Sequence, residues 1–252
     1  MPFDVLGALN TAAGTNGLGL NAVCNKLAGT VGLEAVGALN KLNGTTGVEW
    51  WGSLRTLDQT LTGRTNLCIN PSFETNTTSW STGGAGGGTL TIDAAAAYSG
   101  AAGLKITCTG AGNSLTLYGN AVRTPATAGV AYAFSAYVKA ATTGRLVDVV
   151  VNWYNSGGTV ISTVSGTQSS SSTSAWTRFT HTATAPALTA SCIMQVRIGG
   201  VILSEVHYVD GVLIEAATAV GSFFDGSSSG AAWTGTANAS TSTLPALGLG
   251  VS

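Results

Sequence analysis

Histidine and acidic residues, which could act as general bases, are few in this sequence, and they form no familiar catalytic pattern with its many hydroxyl residues. The segment GSSSG at residues 226–230 has the spacing of a G-x-S-x-G nucleophile motif, but it lies in a Ser- and Gly-rich stretch rather than between a strand and a helix. The two histidines, His181 and His207, belong neither to an H-E-x-x-H motif nor to a Cys-His cluster. The sequence therefore predicts a protein that is not an enzyme.

The segment Arg145–Tyr154 (RLVDVVVNWY) has a pattern suited to binding a sugar. Alternate residues of a strand share a face, so one face would present Asp148, Asn152 and Tyr154. The opposite face carries three valines and Trp153, and it is expected to belong to the core. Sugar CH groups stack on aromatic rings while their hydroxyls bond to amides and carboxylates, so the first face is predicted to bind a glycan. Further candidates are Trp80 and Tyr118 for stacking, and Gln195 and Arg197 as polar partners.

Composition narrows the classes of function. Of the 252 residues only 8% are charged, against about 25% in an average soluble domain. The net charge is −1 and there is no basic stripe, so nucleic acid is not an expected partner. No apolar run reaches the ~18 residues that a membrane span needs, and the first ten residues lack the basic region of a secretion signal. A surface rich in small and hydroxyl side chains suits a large assembly or contact with sugars.

The elements that would position these residues are β-strands over residues 66–220. Alternating segments recur from Thr89–Ile92 to Glu205–Glu215, and turn-forming residues separate them at intervals of about 8–12 residues. This pattern predicts a mainly β protein with a jelly-roll β-sandwich, and another all-β arrangement is the alternative. The domain is expected to open at Asn66–Trp80 with a strand, an Asn-Pro corner and a loop carrying Trp80.

Residues 1–65 contain a repeat and are predicted to form an arm of short helices. NKLAGTVGL at residues 25–33 matches NKLNGTTGV at residues 40–48. Each copy combines helical apolar spacing with a Gly after its end. Helices this short need a packing partner in water, so the arm is expected to anchor the protein in an assembly or to make it a homo-oligomer. A flexible Gly-rich linker is the alternative. Residues 221–252 form a Gly/Ser/Thr-rich C-terminal tail.

The four cysteines are widely spaced and form no C-x-x-C motif. They are Cys24, Cys68, Cys108 and Cys192. Buried free thiols are predicted, and a Cys68–Cys108 or Cys108–Cys192 disulfide is the alternative.

Several motifs resemble, in order, those of the β-sandwich carbohydrate-binding modules attached to glycanases and to many phage proteins. The entry segment of such modules is similar to NLCINPSFE at residues 66–74. Later strands of the family resemble YSGAAGLKIT at residues 98–107, WTRFTHTATAP at residues 176–186 and VHYVDGVLIE at residues 206–215. The resemblance implies a jelly roll whose ligand is a glycan. Trp176, at the head of its strand, is expected to be structural.

The same resemblance implies a structural calcium ion where the first and last strands meet. Its ligands in such modules include a carboxylate after the N-P-x-F turn and an aspartate before the final strand, which correspond to Glu74 and Asp210. Ca²⁺ binds about 6–8 oxygens, so Asp93 and carbonyls near Ser99–Gly100 are expected to contribute. The doubled Asp of the family is Asp210-Gly211 here, which loses one ligand. The alternative is that both acids simply accept backbone hydrogen bonds.

Both ends of the chain resemble virion proteins. Residues 221–243 are similar to a segment at the ends of such modules in minor tail proteins of phages that infect actinobacteria, and the repeats of residues 1–65 resemble their repeat arms. This implies a minor tail protein of the virion, assembled in the host cytoplasm, that contacts other virion proteins through residues 1–65 and displays its sandwich towards host cell-wall glycan. The alternatives are a capsid or tail decoration or fibre protein that binds no sugar, and an accessory module of a bacterial glycanase. Membrane insertion is not expected.

Overall fold

The computed structural model describes residues 63–119 and 123–246, which form two facing antiparallel sheets and a third, small sheet. The helical arm predicted for residues 1–65 lies outside the described residues except for its last three. In chain order the strands are β1 (Arg64–Asn66), β2 (Trp80–Gly83), β3 (Thr89–Asp93), β4 (Gly103–Thr107), β5 (Gly112–Gly119), β6 (Thr124–Pro125), β7 (Ala131–Ala140), β8 (Leu146–Tyr154), β9 (Val160–Ser165), β10 (Ser169–Ser170), β11 (Thr177–Thr184), β12 (Ser191–Val201), β13 (Val206–Glu215), β14 (Ala232–Trp233) and β15 (Ser242–Leu244). A short 3-10 turn, Ala94–Ala96, precedes β4.

The seven-stranded sheet has the order β10-β8-β12-β5-β2, with β6 beside β12 and β9 beside β8. The five-stranded sheet has the order β11-β7-β13-β4-β3. These sheets confirm the predicted β-sandwich. Within the described ranges no helix is long and apolar enough to cross a bilayer.

The core lies between the two sheets and follows from the period-two alternation of their strands. In β8, the predicted inward set of Val147, Val149, Val151 and Trp153 is fully buried in the hydrophobic core. The Trp153 ring packs edge-on against Phe134 of β7, with 6.0 Å between ring centroids. The inward face of β8 was thus predicted correctly.

The opening segment differs from its prediction. Residues 67–73 are not a strand, because Asn70 and Phe73 adopt left-handed φ angles of 53° and 52°. The segment is instead held beside β13 by two backbone hydrogen bonds, from Leu67 N to Ile214 O at 2.7 Å and from Val212 N to Pro71 O at 2.9 Å. This course places Glu74 near the turn that precedes β4.

The C-terminal tail packs on the sandwich. β15 pairs with both β1 and β14. Arg64 forms a two-pronged ion pair with Glu215 and lies 4.7 Å above the ring of Phe224. Asp225 accepts a 2.7 Å hydrogen bond from the Ser72 hydroxyl. These contacts join residues 221–246 to the start of the domain.

The three described cysteines, Cys68, Cys108 and Cys192, are free and buried, as predicted. Burial raises the pKa of all three thiols, and raises that of Cys192 to about 12. Cys24 lies outside the described residues.

Candidate functional site

The outer face of the seven-stranded sheet, meaning the side turned away from the core, carries most of the predicted glycan-binding residues. On it, Gln195 of β12 lies between Val150 of β8 and Tyr118 of β5. Asn152 is two residues further along β8, opposite Ile193. Neighbouring strands are about 4.8 Å apart, so these amide and phenol groups are within reach of one saccharide.

Asp148 is on this face but is not available as predicted. It is 1% exposed, and its carboxylate forms a two-pronged ion pair with Arg197, including a 3.0 Å bond from Nε. The Arg197 side chain remains partly exposed above it. A ligand would therefore meet the guanidinium, and Asp148 acts by positioning it.

Tyr154 is also on the predicted face, but it is not an exposed stacking residue. Tyr154 is 9% exposed, and the guanidinium of Arg123 covers its ring at 3.9 Å from the ring centroid. Arg123 belongs to a segment distant in sequence, so the alternation within β8 could not reveal this cover. Tyr154→Ala is consequently expected to reduce stability, contrary to the expectation for a surface tyrosine.

Trp80 and Tyr118 belong to opposite faces. Trp80 is 8% exposed, packs in the core against Phe73, and donates a 3.0 Å hydrogen bond from Nε1 to Asn70 O. It is therefore a core residue, and its prediction as a sugar contact is wrong. Tyr118 is half-buried on the outer face, where its ring lies over Gly83: a Cβ on that glycine would be 3.0 Å from the ring.

Glu74 and Asp210 both bind the turn that precedes β4. Asp210 Oδ2 accepts hydrogen bonds from Tyr98 N at 2.7 Å and Ser99 N at 3.0 Å, and Glu74 Oε2 accepts one from Ala101 N at 3.0 Å. Between them, Gly100 has a φ of +75°, and a Cβ there would lie 1.8 Å from Glu74 Oε1. The turn can follow this course only with glycine at that position.

Two observations suit a cation at this carboxylate pair. Glu74 Oε1 is buried and has no hydrogen-bond partner. Buried polar atoms without a partner are rare in native structures, because leaving them unpaired costs free energy. The pKa of Asp210 is raised to about 7, chiefly by burial and to a smaller extent by the nearby charge of Glu74, against the lowering effect of three backbone N–H donors. A bound cation would satisfy the first oxygen and hold the second carboxylate ionised. The donor set therefore fits a hard cation such as Ca²⁺.

Asp93 does not join this pair. Its Oδ1 accepts from Ala95 N at 2.9 Å, where it caps the 3-10 turn, and its Oδ2 lies 3.3 Å from Lys105 Nζ. That hydrogen bond and the lysine lower its pKa. No group of three or more His, Cys, Asp or Glu residues arranged for a metal occurs in the described part of the chain. The prediction of Asp93 as a third ligand is not supported.

Three aromatic residues that sequence reasoning did not connect lie beside this turn. Tyr98 stacks on Tyr137 of β7, with 3.5 Å between ring centroids, and Trp176 meets the Tyr98 ring edge-on at 6.0 Å. Trp176 is half-buried and lies outside the hydrophobic core. Tyr98 and Trp176 each stand at the head of a segment that resembles the family's motifs, but neither segment indicates that the two rings meet.

Comparison with known proteins assigns the domain to a family. A model of the family described as Carbohydrate binding domain (CBM_4_9) matches residues 65–200, which is more than half of the chain. The chain therefore belongs to this family of carbohydrate-binding β-sandwiches, whose fold serves binding rather than catalysis. A search of curated protein sequences found no match.

Solved structures with a similar fold include carbohydrate-binding modules of family 22. The tandem CBM22-1-CBM22-2 domain of Paenibacillus barcinonensis Xyn10C has 14% identity, a TM-score of 0.50, and coverage of 68% of this chain and 49% of that chain. Its CBM22-1 xylan-binding domain alone has 16% identity, a TM-score of 0.49, and coverage of 64% and 99%. The C-terminal family 22 module of Clostridium thermocellum Xyn10B has 14% identity, a TM-score of 0.46, and coverage of 60% of this chain and 94% of that chain. At these identities the likeness concerns the fold alone.

Proposed function

We propose that this chain is a non-enzymatic virion protein of a tailed phage, a minor tail protein whose sandwich binds glycan of the host surface. One observation carries the binding part of the proposal. Three neighbouring strands place two amides and a phenol, those of Asn152, Gln195 and Tyr118, on the face turned away from the core. The partly exposed guanidinium of Arg197 lies on the same face. These groups offer hydrogen bonds to sugar hydroxyls and one ring for stacking.

The virion part of the proposal is supported by the sequence resemblance of residues 1–65 and 221–243. Residues 1–65 would attach the protein to other virion proteins or to copies of itself. Single contacts between a module and a sugar are weak, and many copies on one particle raise the effective concentration of sites. The protein would join the particle during assembly in the host cytoplasm.

The glycan-binding part is tested by retention of the full chain on insoluble host cell wall and on insoluble xylan. The Asn152→Ala/Gln195→Ala double variant should be retained about tenfold less, equivalent to ~1.4 kcal/mol of binding free energy. Both side chains are half-buried rather than core, so the free energy of unfolding should change little. Thr182→Ala, on an exposed position of the other sheet, is the matched control. If the full chain is retained on neither material, the glycan proposal fails and a purely structural sandwich takes its place.

The virion part is tested by deletion of residues 1–47. The shortened protein should keep the β-sheet circular dichroism spectrum and fail to enter particles when supplied in a phage assembly assay. Normal incorporation would contradict the anchoring role. The structural alternative, a capsid or tail decoration or fibre protein, predicts incorporation through residues 1–65 together with no glycan retention.

We further propose that Glu74 and Asp210 hold a structural Ca²⁺ ion. The unpartnered Oε1 of Glu74 and the buried carboxylate of Asp210 support it. Two carboxylates supply a minority of the ~6–8 oxygens that Ca²⁺ takes, so carbonyl groups and water would complete the set. The ion would fasten the turn before β4 to β13, and its role would be stability rather than chemistry.

A further inference from the structure

A second aromatic surface lies on the outer face of the five-stranded sheet, on the opposite side of the sandwich from Asn152 and Gln195. We call Tyr98, Tyr137 and Trp176 the tyrosine platform. The Tyr98 and Tyr137 rings are stacked at an interplanar angle of 14°. Tyr98 is nevertheless 41% exposed. Tyr137 covers one face of the Tyr98 ring and Trp176 approaches the ring edge-on, so the exposed part of Tyr98 is what these two rings leave uncovered.

The tyrosine platform is held in place before any ligand arrives. The backbone N–H of Tyr98 bonds to the buried Asp210. Beneath the rings, Gly211 has a φ of +58°, and a Cβ there would lie 3.0 Å from Tyr137 and 3.2 Å from Tyr98. Arg178 Cζ lies 5.3 Å from the Tyr137 ring centroid. Because the rings are already ordered, stacking a ligand on Tyr98 would lose little side-chain entropy.

The surroundings of the platform are polar. On the same face, Lys139 follows Tyr137 by two positions along β7. Lys105 of β4 lies across β13 from Lys139. Lys105 pairs with Asp93, whereas Lys139 has no ion pair within the described residues. The other exposed large hydrophobic residues of the described chain lie at strand starts or in loops: Leu146, Val160, Leu188, Ile202 and Leu203.

A protein partner would call for a contiguous apolar patch, since the buried centre of such an interface is depleted of charged residues. An exposed aromatic ring beside a lysine that has no ion pair in the described residues matches a sugar better, with CH groups on the ring and hydroxyls within reach of the ammonium. We propose that the tyrosine platform is a second saccharide site, with one sugar ring stacked on Tyr98 and Lys139 donating to its hydroxyls. This inference rests on the proposed glycan-binding function and adds a second, separate site.

The test measures retention of the full chain on insoluble xylan and on insoluble host cell wall, for the wild type and matched variants. Tyr98→Ala removes the exposed ring, and Tyr98→Phe keeps it. Stacking of this kind corresponds to about three- to tenfold in affinity. Retention should therefore fall about three- to tenfold in Tyr98→Ala and remain near the wild-type value in Tyr98→Phe. Lys139→Ala should weaken retention without changing the unfolding midpoint.

The outcomes separate this site from the other face. If the Asn152→Ala/Gln195→Ala variant loses retention while Tyr98→Ala binds as the wild type does, the second site is refuted and the proposed function stands. If the wild type is retained on neither material, both fail. If Tyr98→Ala changes only the sedimentation coefficient, the platform is a contact between copies of the chain, and the saccharide proposal is overturned.

Discussion

The buried carboxylate of Asp210 should make stability depend on pH in a direction opposite to that of an ordinary ion-paired aspartate. Its pKa rises from 3.8 to about 7 on folding, chiefly through burial. Between these values the folded state holds a proton that the unfolded state has released. The free energy of unfolding therefore decreases as pH rises from about 4 to about 7, and this loss is complete above about 7. The shift corresponds to roughly 4 kcal/mol.

The Ca²⁺ ion proposed above would bind the ionised carboxylate of Asp210, so calcium should restore part of this lost stability. At pH 8 a Ca²⁺ concentration of about 100 times the dissociation constant would add about 2.7 kcal/mol, or roughly 5–10 °C in the unfolding midpoint of a domain of this size. At pH 5 the proton competes, which weakens apparent affinity by about tenfold per pH unit below the pKa. The gain should then nearly vanish.

The assay is thermal unfolding of the full chain at pH 5, 6, 7 and 8, with and without Ca²⁺ in metal-free buffer. Asp210→Asn should abolish both the Ca²⁺ gain and the Asp210 component of the pH dependence. Asp93→Asn is the matched control: asparagine can still cap the 3-10 turn, and the gain should persist. A Ca²⁺ gain that survives Asp210→Asn, or that is equal at pH 5 and pH 8, would refute the reasoning.

Two further predictions concern the core. Trp153→Ala should lower the free energy of unfolding by about 3–5 kcal/mol in urea titrations, because the ring is fully buried; a loss below about 1 kcal/mol would contradict the packing described. The thiols of Cys68, Cys108 and Cys192 should not react with a thiol reagent in the native protein and should react in urea, because they are buried and their pKa values are raised. Rapid native labelling at any of these three positions, located by mass spectrometry, would contradict their burial.

The parts of the fold that could be predicted are those with strong alternation. β8 and β13 are rich in Val, Ile and aromatic residues, and the predicted segments Arg145–Tyr154 and Glu205–Glu215 agree with these strands to within one or two residues. β5 was missed because its sequence, GNSLTLYG, begins with weak strand formers. Its Leu115 and Leu117 are nonetheless fully buried. β5 is stabilised as a strand by its hydrogen bonds to β12, and a pairing between distant segments cannot be recognised from the local sequence.

For the candidate sites as well, local sequence patterns did not reveal contacts between residues that are distant in sequence. Alternation placed Tyr154 and Asn152 on the correct face of β8, but exposure depends on what covers that face, and Arg123 comes from a separate segment. Trp80 shows that an aromatic residue in a predicted loop can be a core residue. The association of Glu74 with Asp210 came from the family resemblance, since the two are far apart in sequence. The tyrosine platform arises from the stacking of two distant tyrosines and had no local signature.

The pairing of β1 with β15 has a mechanical consequence. It brings the two ends of the domain together: a Cβ on Gly63 would lie 3.2 Å from Ala246 N. The strands are antiparallel, with Arg64 opposite Leu244 and Asn66 opposite Ser242. Tension applied through the two flanking segments would therefore separate β1 from β15 one hydrogen bond after another, starting at Arg64, instead of loading all the hydrogen bonds of the pair at once. The small sheet would yield first under load, and the Arg64–Glu215 ion pair would bear the force before the sandwich itself.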